Sequence, residues 1–190
     1  MSTLIFGLLI LLGMHSVSIV APAWRDAMVA RIGPLPWKGV YSVVSLAGLW
    51  LMLQGYAEAR LEPVVVWVPP TGMRHAAALL MLPVFPLLLA TYLPGRIRNA
   101  AKHPMLAAVK FWALAHLLSN GMLADIVLFG AFLAWAVADR ISLKRRAPQP
   151  LRTTPTTPWN DVLAVVLGLT LYAGFAMIWH QRLFGVAPFG

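Results

Sequence analysis

Residues 4–23 read LIFGLLILLGMHSVSIVAPA, twenty residues without a Lys, Arg, Asp or Glu. A run of about 20 mostly apolar residues is long enough to cross the hydrocarbon core of a membrane as one helix. Five further runs resemble it, and the six predicted transmembrane segments cover residues 4–23, 39–56, 73–93, 104–119, 123–139 and 160–184. The predicted fold class is therefore all-α: a polytopic membrane helix bundle of about six helices, in a single domain over residues 1–190.

The composition agrees with a membrane protein. Of the 190 residues, 60% are hydrophobic and 11% are charged, whereas a soluble domain carries about 25% charged residues. No Lys or Arg precedes the first apolar run, so we expect this run to stay as a helix and not to be removed as a signal peptide. The chain has no cysteine, which excludes disulfides, thiolate metal sites and cysteine nucleophiles.

The net charge of +9 is unevenly distributed among the loops. The first, third and fifth loops hold eleven of the fifteen Lys and Arg residues, whereas the second and fourth loops and the two termini hold three. Since loops rich in Lys and Arg stay in the cytoplasm, we predict a multi-pass protein of a bacterial inner membrane with both termini outside. Membrane lipid is then the expected partner. The positive charge is explained by the cytoplasmic loops, so no nucleic-acid partner is predicted. The Pro/Thr-rich stretch 147–158 is a predicted cytoplasmic linker.

The third segment contains Pro83 and Pro86. Each proline removes a backbone donor and crowds the carbonyl four residues earlier, so a kink is predicted there. Two interpretations stand. The kink adjusts the packing of the helix, or the broken helix lines a binding site.

Ionisable side chains inside a membrane are costly and therefore mark candidate sites. His15 lies near the middle of the first segment, where it either forms a hydrogen bond with a neighbouring helix or binds a metal or haem iron. His116 lies in the fourth segment, with Trp112 and Asn120 one turn away on either side of the same face. The same two interpretations apply to it. Lys110 either extends its ammonium toward the cytoplasm or neutralises a haem propionate or Asp139.

The other three histidines occupy segment ends. His103 precedes Pro104, where a helix cap is expected. His75 and His180 lie near the external ends, where solvation is cheap, and a cofactor or substrate role is the alternative for each. His103 and His116 cannot bind the same haem iron from one straight helix, because a spacing of thirteen residues places them on nearly opposite faces. No phosphate-binding loop, dinucleotide-binding turn or zinc-protease motif is present.

The chain resembles the NnrU family of bacterial membrane proteins over residues 4–146. The resemblance is carried by His15-Ser16 and by longer matches in order, namely APAWR (21–25), WKGVYSVVSLAG (37–48), KHPM (102–105), KFWALAHLLSNG (110–121) and LFGAFLAWAVADRISLKRR (128–146). The family name comes from gene clusters for nitrite and nitric oxide reduction, which implies a link to denitrification.

The resemblance extends to a plant haem b enzyme, zeta-carotene cis–trans isomerase. Its ligand-bearing His-Ser and Leu-Ala-His motifs fall on His15 and His116, and its Arg-His-Pro motif falls on His103. This implies haem b as the cofactor, with His15 and His116 as its metal ligands and with Trp112, Lys110 and Asn120 around it. The plant enzyme has a cysteine three residues before the second histidine, where this chain has Ala113, so a thiolate ligand is excluded here.

Three hypotheses follow for the function. The first is a haem b protein with a redox, sensing or accessory role in denitrification, which would need a redox partner. The second is a haem-dependent cis–trans isomerase or redox enzyme acting on a lipophilic small molecule. The third is a haem-free permease or assembly factor that uses the kinked third helix.

Overall fold

The computed structural model describes residues 1–146 and 153–188, and most of these residues are helical. This confirms the all-α class. Within the described ranges there are ten α-helices and one π-helical turn, Phe175–Trp179. The α-helices are α1 (Ser2–Val20), α2 (Pro22–Ile32), α3 (Pro34–Ala59), α4 (Met73–Met81), α5 (Val84–Ala90), α6 (Arg96–Ala101), α7 (Pro104–Ser119), α8 (Leu123–Ser142), α9 (Asn160–Gly174) and α10 (His180–Phe184). Residues 147–152 of the predicted linker lie outside the described residues.

Each predicted segment contains a helix at the expected place. Four helical stretches are long and apolar enough to cross a membrane: Ser2–Val20, Pro34–Ala59, Met73–Ala90 and Asn160–Phe184. Helix α7 is shorter, as predicted. Large apolar side chains are exposed on these helices, with Leu9 66% and Val43 67% accessible. Water would not tolerate so much exposed apolar surface, whereas lipid solvates it. The chain is therefore a helical membrane protein.

Two helices, α2 and α6, were not predicted. Both lie in loops with basic residues, and neither has a buried residue. Helix α2 begins and ends at local signals. Pro22 stands in the first turn of α2, and Gly33 ends it with a φ of 90°, a value that glycine adopts without a steric cost.

The helices form two compact units, which comprise Met1–Trp67 with Met122–Ser142 and Val68–Gly121 with Leu143–Gly190. The assignment of one domain over residues 1–190 stays a prediction.

In the first unit, α1 and α3 pack in close antiparallel contact through glycines. A Cβ added at Gly48 would lie 2.6 Å from the backbone nitrogen of Leu11. The same kind of backbone overlap would arise at two other glycines, Gly7 against Met52 and Gly55 against Leu4. In membranes, small residues let helix backbones approach each other and gain van der Waals contact. These three glycines therefore set the spacing of the two helices.

Polar groups of the first unit join its loops. The Leu123 amide donates to the Val64 carbonyl at 2.8 Å. Asp125, 2% exposed, accepts hydrogen bonds from the Tyr56 hydroxyl at 2.5 Å and from the Met122 amide at 3.1 Å. Thr3 in the first turn of α1 donates to Glu58. The amino terminus therefore lies beside the second and fourth loops. Consecutive spans that alternate in direction place these three parts of the chain on the same side.

In the second unit, the third apolar segment breaks between α4 and α5, which confirms the predicted kink at Pro83. The Leu82 amide bonds to Leu79 rather than to Ala78, and the Tyr172 hydroxyl donates to the Ala78 carbonyl at 3.0 Å. Helix α5 then packs on α9, where a Cβ at Gly168 would lie 2.5 Å from the Pro86 nitrogen. The hydrogen-bonded carbonyl and the close packing both support a structural role for the kink.

The start of α9 is tied to the third loop by two side chains. Asn160, 3% exposed, donates from its amide to the Pro94 carbonyl at 2.9 Å and to the Pro155 carbonyl at 3.0 Å. Asp161 accepts hydrogen bonds from the first amides of α6, those of Arg96 and Ile97, and a carboxylate there also complements the helix dipole. The third and fifth loops therefore lie on the same side of this unit. Which side faces the cytoplasm stays a prediction from charge.

Asn160→Ala is expected to lower the free energy of unfolding by about 2 kcal/mol, because it leaves two carbonyls without their donor. Thermal unfolding of the protein in detergent measures this loss. Asn99→Ala is the matched control, since Asn99 is exposed and its substitution is expected to change little. Equal melting temperatures for the two variants would contradict the role of Asn160.

Candidate functional site

The first unit holds His15 in the interior of α1. Its Nδ1 lies 2.8 Å from the Leu11 carbonyl one turn earlier. A carbonyl oxygen only accepts hydrogen bonds, so Nδ1 carries the proton of the neutral ring and Nε2 carries the lone pair. Ligating histidines commonly donate their second ring nitrogen in this way, which fixes the tautomer and the orientation of the ring. His15 is therefore prepared for ligation through Nε2.

Two aromatic residues from other helices contact His15. The Tyr41 ring lies 5.0 Å from the His15 ring between centroids, and the Trp135 ring stands edge-on to it at 5.9 Å. The indole Nε1 of Trp135 is buried, and within the described part of the chain it has no hydrogen-bond partner. An unpaired N–H in an apolar interior costs several kcal/mol. This donor therefore fits a bound group that brings an acceptor oxygen.

The second unit holds His116 in an arrangement that repeats that of His15. Its Nδ1 lies 2.8 Å from the Trp112 carbonyl, and the Trp112 ring lies 5.3 Å from the His116 ring. Nδ1 again carries the proton and Nε2 the lone pair. The structure thus brings Trp112 to His116, on the face that the sequence indicates.

Asn120 and Lys110 are placed differently. The Asn120 side chain donates to the His116 carbonyl at 2.9 Å, where it closes the end of α7. It thus contacts the backbone of His116 and not the ring in the described structure. Lys110 is half-buried, and six residues of helix turn it about 120° away from His116. Among the described residues, its ammonium has no hydrogen-bond or ion-pair partner, which leaves its charge for a bound anion or for the membrane interface.

The sequence places His180 near an external helix end, with a cofactor or substrate role as the alternative. The structure puts its ring 6.4 Å from the His116 ring between centroids, with 27° between the ring planes. Phe175 and Phe184 flank His180 with ring centroids 5.9 and 5.1 Å away. The π-helical turn before His180 determines its direction, and such turns have no signal in the hydrophobic pattern.

The remaining two histidines, His103 and His75, lie at other places in the second unit. His103 is the N-cap residue of α7, although its side chain makes no capping hydrogen bond. His75 lines an open cavity of about 340 Å³ together with Ala78, Leu79, Leu82 and Tyr172. No group of three or more His, Cys, Asp or Glu side chains suited to a metal ion occurs among residues 1–146 and 153–188. In the described part of the chain, His15 and His116 are therefore not members of such a group.

The comparisons with known proteins give one match. The sequence profile described as "NnrU protein" matches residues 3–188. No curated protein and no solved structure matches the chain.

Proposed function

This chain belongs to the NnrU family, and from that membership we propose that it is an integral-membrane haem b protein with a redox, sensing or accessory role. The family resemblance links that role to nitrite and nitric oxide reduction. The proposed axial ligands of the iron are His15 and His116.

One observation carries this proposal: the two histidines share the same local arrangement. Each imidazole bonds through Nδ1 to the carbonyl one turn earlier, at 2.8 Å in both helices. Each therefore offers Nε2 to a metal without any change of tautomer. Two imidazoles suit haem, because its porphyrin supplies the other four ligands of the iron.

Further groups in the chain suit a haem. The helices supply apolar side chains, which favour the macrocycle over water. The unpaired Trp135 N–H and the Lys110 ammonium suit carboxylate acceptors such as the haem propionates. When bound, haem supplies one-electron redox chemistry, and the low polarity around it tunes the potential. His15 and His116 would hold the iron, Trp135 would orient the group, and the lipid-facing residues would exclude water.

The test is the haem content of the protein purified in detergent. We expect close to one iron protoporphyrin per chain and a reduced-minus-oxidised difference spectrum of low-spin haem b. Acid extraction and a pyridine haemochrome assay give the stoichiometry. Protein that folds without haem, and stays haem-free when reconstituted with hemin, would overturn the proposal and favour a haem-free permease or assembly factor.

Trp135→Phe is expected to lower the haem content or the affinity for added hemin about tenfold, because a hydrogen bond to a charged acceptor contributes about 1.5–3 kcal/mol. Phenylalanine keeps a ring against His15 and removes only the N–H donor and part of the indole. Hemin titration measures the affinity, and potentiometry detects a change in the midpoint potential. Trp50→Phe is the control, since Trp50 is 60% exposed on α3 in the same unit. Identical results for both variants would show that Trp135 only packs.

A further inference from the structure

The pair His116 and His180 lies within one unit and requires no haem. We propose that, in the haem-free protein, these two histidines bind one Cu²⁺ or Ni²⁺ ion through their Nε2 atoms. The ion and haem then compete for His116. This site goes beyond the proposed haem role, since its ligand pair contains His180 and excludes His15.

The spacing of the two rings fits one ion between them. With metal–nitrogen bonds of about 2 Å, two imidazoles on opposite sides of an ion have centroids about 6 Å apart, whereas a tetrahedral angle brings them to about 5 Å. The observed centroid separation of 6.4 Å is close to that of the opposite arrangement, so one ion fits between the rings once their Nε2 atoms face each other. The 27° between the ring planes is compatible with it, because opposite imidazoles on one ion have no required angle between their planes.

The tautomers of both rings also suit ligation. Nδ1 of His116 is held by the Trp112 carbonyl, and Nδ1 of His180 lies 2.7 Å from the Val186 carbonyl. That carbonyl reaches His180 because the chain reverses at Gly185, whose φ of 71° closes α10 in the left-handed conformation. Both rings therefore carry their lone pair on Nε2, the nitrogen that a metal takes.

The π-helical turn accounts for the direction of His180. A π turn contains one residue more than an α turn, so it rotates the following residues back by roughly 100° about the helix axis. The face of α9 that is buried in the second unit carries Asn160, Ala164 and Gly168. In a straight α-helix, His180 would point away from that face. The turn at Phe175–Trp179 brings His180 back toward it. Such turns occur often at functional sites.

The donor set selects the kind of ion. Imidazole binds Cu²⁺, Ni²⁺ and Zn²⁺, whereas Mg²⁺ and Ca²⁺ require oxygen ligands. Opposite ligands are typical of the tetragonal geometry of Cu²⁺ and Ni²⁺, and Zn²⁺ favours a tetrahedron. No third His, Cys, Asp or Glu joins the pair in the described part of the chain, and water is the proposed source of the remaining ligands. Among divalent ions of this series, Cu²⁺ is expected to bind most tightly.

The experiment titrates Cu²⁺ into haem-free protein that carries no histidine tag and is held in lipid nanodiscs. Electron paramagnetic resonance of Cu²⁺ is expected to show one ion per chain with hyperfine coupling to two equivalent imidazole nitrogens. His180→Phe is expected to weaken Cu²⁺ binding at least about tenfold and to lose the two-nitrogen signal. Phenylalanine keeps a ring against Phe175 and Phe184, so the packing of α10 is preserved.

Two controls separate this inference from the haem proposal. His75→Ala removes another histidine of the same unit and is expected to leave Cu²⁺ binding unchanged. Hemin binding by His180→Phe is expected to match the wild type, while bound Cu²⁺ is expected to slow hemin binding only when His180 is present. Equal Cu²⁺ binding in His180→Phe and the wild type would overturn the metal site. A wild type that binds Cu²⁺ but no hemin would overturn the haem proposal alone.

Discussion

His15→Ala and His116→Ala are each expected to abolish the low-spin haem spectrum and to lower the haem content at least about tenfold. Each substitution removes one proposed axial ligand, and the Nδ1 bond to Leu11 or Trp112 disappears with it. Alanine is a better helix former than histidine, so α1 and α7 remain intact. Spectra at matched protein concentration measure the outcome.

His103→Ala is the control for this pair. His103 lies at the start of α7 and makes no side-chain capping bond, so its variant is expected to keep the spectrum of the wild type. Survival of a two-histidine spectrum in either His15→Ala or His116→Ala would contradict the proposed ligands. If the two-histidine spectrum persisted in His15→Ala and disappeared when His180→Phe was added, His180 would be identified as the substitute ligand.

Gly55→Ala is expected to destabilise the protein by about 3 kcal/mol or more, since it forces extra volume into a packed contact. A Cβ at this position overlaps the backbone of Thr3 and Leu4. Backbone atoms have no rotamer to change, so α1 and α3 must separate along their whole contact. The folded fraction after mild heating in detergent, measured by size-exclusion chromatography, reports the loss.

Gly39→Ala, in the same helix, is the matched control. A Cβ at Gly39 meets no atom within 4 Å, and replacing glycine by alanine within a helix gains up to about 1 kcal/mol. The two substitutions are thus expected to have opposite signs. A Gly55→Ala protein as stable as Gly39→Ala would show that the close contact does not limit the packing of these helices.

Much of the fold was predictable because membrane-spanning segments are local in sequence. The helix at residues 104–119 begins at Pro104 and ends before Asn120, as the local signals indicate. Pro83 and Pro86 likewise predicted the break between α4 and α5 through a missing donor. The partner of the Ala78 carbonyl, Tyr172, is 94 residues away, and no local signal identifies it.

For the candidate site as well, some features were determined by the sequence and others only by the tertiary structure. The sequence by itself determined that His15 and His116 lie inside apolar helices. The structure added the rotamers that bring each Nδ1 to the carbonyl four residues earlier. Only the tertiary structure placed Tyr41 and Trp135 against His15 and His180 against His116, since these contacts depend on helix rotation and pairing. Apolar residues cover most faces of these helices, so the hydrophobic pattern specifies insertion into lipid but not which face meets which partner. That choice depends on close contacts at glycines and on one π-helical turn.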